Sequence, residues 1–258
     1  MRLLLEPMKK ITMDNKKIKS KRFIPNILTL LNMFLGFMAI GLILNNKPIE
    51  AGVFIIIAGG FDVFDGKIAR MLGIESRFGV EFDSMADTVS FCVVPSVLVY
   101  SLYVDGLSPL LGGIISFMPL MFGTIRLAKF NTDQEPGKLK SYTVGLTTPI
   151  ATITLFSYLF FNYQVYDNYG DPRTALMLVS ALGILMISPI HFAKFPLLSF
   201  KSGRKNSILL ILFILSIVAI VIFKGFILLP VSSVYIGWNI VYWLINSQNN
   251  NYTSTTVK

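Results

Sequence analysis

The sequence contains little charge and almost no cysteine. Of its 258 residues, 14% are charged and 53% are hydrophobic, whereas a soluble domain usually carries about 25% charged residues. This shortage excludes a soluble globular domain and a long disordered chain, and it is typical of an integral membrane protein. The single cysteine, Cys92, excludes an internal disulfide and a zinc site built from cysteines.

Histidine is as scarce as cysteine. The one histidine, His191, excludes metal motifs that need two histidines, such as H-E-x-x-H. We interpret His191 as an interfacial side chain near a helix end, because its neighbours Ile190 and Phe192 are apolar. Any metal ion bound by this chain must therefore have mostly oxygen ligands.

Long apolar runs are abundant. A transmembrane helix needs about 17–25 apolar residues, and eight stretches reach this length between turn sequences such as Asn45–Pro48. They predict an all-α integral membrane protein, a polytopic helical bundle of about eight transmembrane helices. The predicted spans are 23–44, 48–70, 80–104, 108–129, 143–163, 173–193, 206–223 and 225–246.

The basic residues are distributed unevenly along the chain. There are 23 lysines and arginines against 14 acidic residues. If the N-terminus is cytoplasmic, 20 of the 23 lie in cytoplasmic segments of the predicted topology. This asymmetry is a positive-inside signal, and it explains the basic charge by orientation and contact with anionic lipid rather than by nucleic-acid binding. We therefore expect a protein of the cell membrane with a cytoplasmic N-terminus.

Four aspartates lie where a bilayer disfavours charge. Asp62 and Asp65 belong to the cytoplasmic half of the second apolar run, and Asp83 and Asp87 begin the third. Spacings of three and four residues place the members of each pair on one helix face. A carboxylate in a transmembrane segment costs several kcal/mol (about 2.5–3.5 on insertion scales) and marks a functional site by default.

The chain between the two pairs contains Gly73 and Gly79, which permit a turn. The two helices are then antiparallel and bring the four carboxylates together near the cytoplasmic surface, so the active site is expected on that side. Clustered carboxylates repel one another in a low dielectric. Mg²⁺ or Mn²⁺ would relieve this repulsion, and two metal ions about 4 Å apart are common in phosphoryl transfer.

The alternative is a structural network in which the four acids pair with Lys67, Arg70 and Arg77. Two small residues, Gly66 and Ala69, favour a ligand site instead, because they leave room beside the carboxylates. Arg70 can offer a forked donor to a phosphate group. Carboxylates, space and a guanidinium together indicate a phosphate-ester site.

The pattern D-x2-D-G-x2-A-R-x8-G-x3-D-x3-D resembles, at every position, the signature of the CDP-alcohol phosphotransferase family. The resemblance covers roughly residues 23–195, and within the family the chain looks most like the type II phosphatidylserine synthases. Segments 24–32, 82–91, 126–131 and 145–149 carry that second likeness. The eight matching residues are Asp62, Asp65, Gly66, Ala69, Arg70, Gly79, Asp83 and Asp87.

Composition and the resemblance together predict the domain organisation. Composition indicates a basic cytoplasmic N-terminal segment (1–22) without the features of a cleaved signal peptide, and the resemblance implies a six-helix CDP-alcohol phosphotransferase core (23–195). Two additional transmembrane helices (196–246) and a polar C-terminal tail (247–258) follow. Family members are commonly homodimers, and we expect the same here.

The resemblance also implies the reaction and its residues. The phosphatidyl group of CDP-diacylglycerol would be transferred to L-serine, giving phosphatidylserine and CMP, with two divalent ions, Mg²⁺ or Mn²⁺. Asp62, Asp65, Asp83 and Asp87 would bind the metal, and Asp87 would also act as the general base. The residues implied to bind CDP-diacylglycerol are Asn26, Thr29, Gly66, Ala69, Arg70 and Ser76.

The acceptor alcohol is less defined than the donor. Arg126, near the cytoplasmic end of the fourth span, could bind the serine carboxylate or could serve only as a positive-inside anchor, and Asn131 is a second candidate. Glycerol 3-phosphate, inositol phosphate and an amino alcohol are alternative acceptors. A cation transporter with a carboxylate site is a remote alternative from another class.

Overall fold

The structure is a computed structural model that describes residues 23–74, 76–133, 142–193, 225 and 227–255, except for the side chains of residues 23, 70, 133 and 246–255. The predicted N-terminal segment and the predicted span 206–223 therefore lie outside the described residues.

Helices make up most of the described chain, which is consistent with the predicted all-α class. They are α1 (Phe23–Leu44), α2 (Pro48–Met71), α3 (Arg77–Asp87), the π segment (Thr88–Val93), α4 (Val94–Leu102), α5 (Pro109–Asp133), α6 (Thr148–Tyr166), α7 (Pro172–Ile187) and α8 (Leu228–Thr255).

Helices that could cross a membrane are present, as an integral membrane protein requires. In the ranges that the structure describes, four stretches are long and apolar enough. They are Ile24–Leu44, Arg77–Leu102, Pro109–Thr132 and Leu228–Ile245.

The predicted number of eight spans is not confirmed. Helix α2 has 24 residues, but it carries the charges of Glu50, Lys67 and the first aspartate pair, which make it less apolar than a usual span. The mean hydropathy of α6 is lowered by polar residues near its C-terminal end. Helix α7 has only 16 residues, which is short for a transmembrane helix.

The chain divides into two compact units, Met1–Val94 and Pro95–Lys258. In the first unit, α1 and α2 pack as an antiparallel pair, joined by a tight turn in which Asn46 has a φ of 59°. Small and branched side chains such as Ala39, Ala51 and Ile55 are fully buried in this unit. Small residues allow helices within a membrane to approach closely.

The turn from α2 to α3 differs in one detail from the prediction. Gly73 lies in the turn with a φ of 60°, as expected of a glycine there. Gly79, however, lies in the first turn of α3, where its N–H donates to the hydroxyl of the N-cap Ser76 at 3.1 Å. Gly79 therefore helps to start the helix and takes no part in the turn.

In the second unit, two predicted spans are shorter than expected. Their ends form a small antiparallel sheet of β1 (Tyr142–Val144) and β2 (His191–Ala193), in which Tyr142 pairs with Ala193. Gly145 has a φ of 75°, which is not a helical value, and a side chain at this position would collide with the Met186 carbonyl. Helix α6 therefore begins after Gly145 and not at residue 143. Pro149 then lies in the first turn of α6.

The small sheet explains the position of the single histidine. His191 is exposed in β2, shortly after the end of α7, and its ring stacks on Tyr142 with centroids 4.2 Å apart. The last residue of β2 is bonded to α8, because Ala193 donates to Asn239 Oδ1 at 2.9 Å and accepts from the Tyr235 hydroxyl at 2.8 Å.

Candidate active site

Three of the four singled-out aspartates come together in the first unit. One carboxylate oxygen from each of Asp62, Asp83 and Asp87 lies within 4.8 Å of the other two. Asp62 is on α2 and the other two are on α3, one helical turn apart. The two helices that were expected from the spacing therefore bring these three carboxylates together.

The fourth aspartate, Asp65, is outside the group of three. Its side chain is 4% exposed, and its Oδ2 accepts a hydrogen bond of 2.7 Å from the hydroxyl of Thr29 on α1. Asp65 nevertheless lies close enough to Asp62 and Asp83 to interact with them electrostatically. The site is thus a group of three carboxylates with a fourth beside it, bonded to a third helix.

The residues present fit a divalent cation. The three carboxylates supply the oxygen ligands that Mg²⁺ and Mn²⁺ prefer. In addition, Asp83 Oδ1 is buried and has no hydrogen-bond partner within the described part of the chain. Burying a carboxylate oxygen in this way is costly unless a cation compensates it. The three aspartates could therefore bind a metal ion.

A close contact between two helices fixes the position of Asp87. Asp87 is 7% exposed and is the last residue of α3, directly before the π segment. In that segment Ser90 donates to the backbone carbonyl of Asn32 on α1 at 2.9 Å. A side chain at Gly36 would collide with Ser90, with its Cβ 2.8 Å from Ser90 Cα. Single π turns occur frequently at functional sites.

Two of the predicted CDP-diacylglycerol contacts lie on α1. Asn26 is half-buried at the start of the helix, and Thr29 is buried one turn later. Thr29 Oγ1 lies 3.1 Å from the Pro25 carbonyl as well as 2.7 Å from Asp65. The structure therefore gives Thr29 a role in holding an aspartate, which the sequence did not indicate.

The other predicted donor contacts lie on α2 and at the start of α3. Gly66 and Ala69 are half-buried on the helix that carries Asp62. Ser76 is half-buried and caps α3 through its hydroxyl. Arg70 is on α2, and its side chain is not among the described ones.

The two candidates for serine binding lie on α5, in the second unit. Arg126 is 8% exposed, and its Nη1 donates to the Thr148 hydroxyl at 3.4 Å. Its guanidinium carbon lies 5.7 Å from the ring centroid of Phe130. Asn131 is half-buried at the end of the same helix. A buried guanidinium is suited to bind a carboxylate with two parallel hydrogen bonds.

Sequence reasoning did not single out Asn32, Gly36 or Ser90 as parts of the site. The available signal was on α1, where Thr29, Asn32 and Gly36 follow one another at spacings of three and four residues within an otherwise apolar run. This spacing places them on one helix face. A face of polar and small residues in an apolar helix predicts a close contact with another polar element.

Comparison with known proteins assigns the family. Residues 22–243 match the family described as CDP-alcohol phosphatidyltransferase. The match spans most of the chain and includes every aspartate of the site. The chain belongs to the CDP-alcohol phosphatidyltransferase family, and it is therefore an enzyme, a transferase of phospholipid synthesis.

Relatives from bacteria and an archaeon are similar over most of their length. The CDP-diacylglycerol–serine O-phosphatidyltransferase of Helicobacter pylori (strain ATCC 700392 / 26695) is 30% identical over 222 residues, covering 86% of this chain and 89% of the relative. The protein of the same name from Bacillus subtilis (strain 168) is 35% identical, covering 71% and 99%. The archaetidylserine synthase of Methanothermobacter thermautotrophicus is 33% identical, covering 70% and 74%.

Proposed function

We propose that the protein transfers the phosphatidyl group of CDP-diacylglycerol to L-serine, giving phosphatidylserine and CMP. The observation that carries this proposal is the group of Asp62, Asp83 and Asp87, whose carboxylate oxygens lie within 4.8 Å of one another in a member of this family. Such an oxygen-rich group suits a phosphate ester bound with divalent cations.

The names of the relatives favour serine as the acceptor. The bacterial relatives are named for CDP-diacylglycerol and serine, and the archaeal relative for archaetidylserine. The lipid part of the name differs between them, whereas serine is common to both. Because bacterial and archaeal relatives share serine in their names, these names support serine as the acceptor more strongly than they support one particular lipid donor.

In the proposed mechanism, Asp87 removes the proton from the serine hydroxyl, which is a poor nucleophile while protonated. The serine oxygen forms a bond to the lipid-linked phosphorus, the bond from that phosphorus to the CMP oxygen breaks, and CMP leaves with the electron pair. Asp62, Asp65, Asp83 and Asp87 would hold two divalent ions, Mg²⁺ or Mn²⁺. When bound, these ions neutralise the diphosphate and the charge that develops on CMP.

The resemblance and the burial of Arg126 together suggest separate sets of contacts for the two substrates. The buried Arg126 would bind the serine carboxylate, and Asn131 would assist it; the bond from Arg126 to the Thr148 hydroxyl supports a fixed orientation of the guanidinium. The residues proposed to bind CDP-diacylglycerol are Asn26, Thr29, Gly66, Ala69, Arg70 and Ser76.

We also propose the topology that the charge distribution favours. The chain would cross the cell membrane eight times, with the N-terminus and the active site on the cytoplasmic side, and it would form a homodimer. The basic segment 1–22, the core 23–195, two further spans within 196–246 and the tail 247–258 would be its parts. The excess of basic residues in the predicted cytoplasmic segments supports this orientation.

An acceptor assay with purified protein tests the proposed function. The protein is incubated with CDP-diacylglycerol and one labelled acceptor at a time: serine, glycerol 3-phosphate, inositol phosphate or ethanolamine. We expect CMP release and lipid labelling with serine, loss of both on chelation, and recovery with Mg²⁺ or Mn²⁺. Consumption of glycerol 3-phosphate without consumption of serine would overturn the serine assignment and leave the family chemistry intact.

A further inference from the structure

Asn32 on α1 is a buried asparagine to which the proposed reaction gives no role. Its side chain is 0% exposed, and neither Nδ2 nor Oδ1 has a hydrogen-bond partner among the residues that the structure describes. Leaving a buried polar group unsatisfied costs about 1–3 kcal/mol. An apolar residue of similar size would avoid this cost, so the carboxamide needs another explanation.

The position of Asn32 relates it to the aspartates. Its backbone carbonyl accepts from Ser90, and Ser90 follows Asp87 by three residues. One turn before Asn32 is Thr29, which donates to Asp65. Asn32 is therefore one turn from Thr29, which binds Asp65, and it is in direct contact with the π segment that follows Asp87.

The direction of the helices determines where the side chain points. Helix α3 begins six residues after α2 ends, and its Asp83 and Asp87 lie beside Asp62 of α2. The chain therefore folds back along α2, so that α3 has the same general direction as α1. A helical side chain leans toward the N-terminus of its own helix. By this rule we expect the Asn32 carboxamide to lean from the level of Ser90 toward the level of Asp87.

Packing alone does not explain this carboxamide. The bond between Asn32 and Ser90 uses the backbone carbonyl of Asn32, so any side chain at position 32 would retain it. Complete burial also keeps the side chain from being a first contact for a substrate.

We infer that Asn32 is a positioning residue for Asp87, an inference that rests on the proposed function. Its Nδ2 donates to the Asp87 carboxylate, directly or through one ordered water, when cation and substrate bring that carboxylate into its working orientation. Catalytic hydrogen bonds are often long or poorly aligned in an apo site and tighten on loading. The role of Asn32 is then to hold the carboxylate that receives the serine proton.

The test replaces Asn32 with an apolar side chain of similar size. In Asn32→Leu we expect the metal-free unfolding midpoint in detergent to stay the same or rise, because an unsatisfied polar group is removed. Outer-shell partners of a metal ligand are worth about 10–100-fold in metal affinity or activity. We therefore expect Mn²⁺ affinity, measured from the shift of the unfolding midpoint, and kcat to fall by this factor, with the KM for CDP-diacylglycerol unchanged.

Asn162→Leu is the matched control. Asn162 is also buried, but its Nδ2 donates to the Tyr158 carbonyl at 2.8 Å within α6. This variant should have a lower unfolding midpoint with unchanged kcat and Mn²⁺ affinity. If Asn32→Leu does not fold, Asn32→Ser replaces it with the same expectations for Mn²⁺ affinity and kcat.

Two results would overturn the inference. Unchanged Mn²⁺ affinity and kcat in the Asn32 variant would leave it with a packing role only. A raised KM for CDP-diacylglycerol with unchanged kcat would make it a substrate contact instead. If the wild-type protein does not consume serine, the proposed function fails, but the Mn²⁺ titration still decides the role of Asn32.

Discussion

The two compact units bury polar side chains in different ways. In the first unit the buried polar groups bond between helices: Thr29 of α1 donates to Asp65 of α2, and Ser90 donates to α1. Asn32 and Asp83 keep buried polar atoms without a partner among the residues described. A buried polar group without a partner is costly in a membrane, so the unpartnered atoms of Asn32 and Asp83 indicate binding or chemistry in this unit.

In the second unit, buried polar side chains mostly bond within their own helix. Ser116, Thr154 and Asn162 each donate to the carbonyl four residues earlier, and Ser157 donates to the carbonyl three residues earlier. Such local bonds satisfy a polar side chain without any ligand. Most of these buried side chains in the second unit therefore have a hydrogen-bond partner within their own helix.

Two interactions between buried side chains in the second unit join different helices. The hydroxyl oxygens of Ser157 on α6 and Ser232 on α8 lie 3.4 Å apart. Arg126 of α5 donates to Thr148 of α6, with both side chains buried. A charged group bonded between helices resembles the arrangement in the first unit. This likeness is the structural reason for preferring a substrate-binding role for Arg126 over that of an anchor at the membrane surface.

The largest expected effect comes from the aspartate proposed as the general base. Asp87→Asn should lower kcat by about 10²–10⁴-fold, the usual contribution of general acid–base catalysis, with little change in the unfolding midpoint. The control is Asp105→Asn, because Asp105 is exposed and accepts a hydrogen bond from the N–H of the next residue, Gly106. Near-normal turnover of the Asp87 variant would remove the general-base assignment.

A pair of isosteric threonine variants compares the two kinds of hydrogen bond. Thr29→Val removes the donor to Asp65, and hydrogen bonds to charged groups contribute about 1.5–3 kcal/mol, so turnover should fall about tenfold or more. Thr154→Val removes only a bond to the Ile150 carbonyl and should leave turnover unchanged. Equal turnover in the two variants would mean that bonds between helices have no special role in this enzyme.

The smallest expected difference is in thermal stability, between alanine variants of two glycines of α1. Gly36→Ala places a methyl group against Ser90, and overpacking of this kind costs about 1–3 kcal/mol. Gly41→Ala adds a methyl group where nothing lies within 4 Å, and it should be neutral or slightly stabilising. If both variants unfold at the wild-type temperature, the contact between α1 and the π segment is looser than the structure indicates.

Helical periodicity was sufficient to predict much of the site. Spacings of three and four residues placed each aspartate pair on one face, and the structure brings Asp62, Asp83 and Asp87 together. The bond from Thr29 to Asp65 could not be predicted in this way, because it joins residues 36 positions apart through packing of two helices. The π segment was also not predicted, since one extra residue in a turn leaves no mark on an apolar pattern.

The same limitation explains the shortened spans and the uncertain number of crossings. Apolar runs at 143–163 and 173–193 do not reveal that Tyr142–Val144 and His191–Ala193 pair as strands, because a three-residue strand has the same composition as the end of a helix. Charged residues within α2 likewise lower its apolar character without preventing a helix of 24 residues. Apolar composition is therefore a weaker predictor for a membrane helix that contains charged residues of the site.

The π turn at Thr88–Val93 also has a consequence for how this enzyme can tolerate change. Removing one residue there would restore α geometry and rotate Asp83 and Asp87 by about 100° with respect to the residues that follow, since each residue of an α-helix turns the chain by that angle. The direction of these carboxylates depends on the number of residues in the turn, whatever their identity. Except at Ser90, which packs against Gly36, substitutions within the turn should therefore be tolerated better than single-residue insertions or deletions.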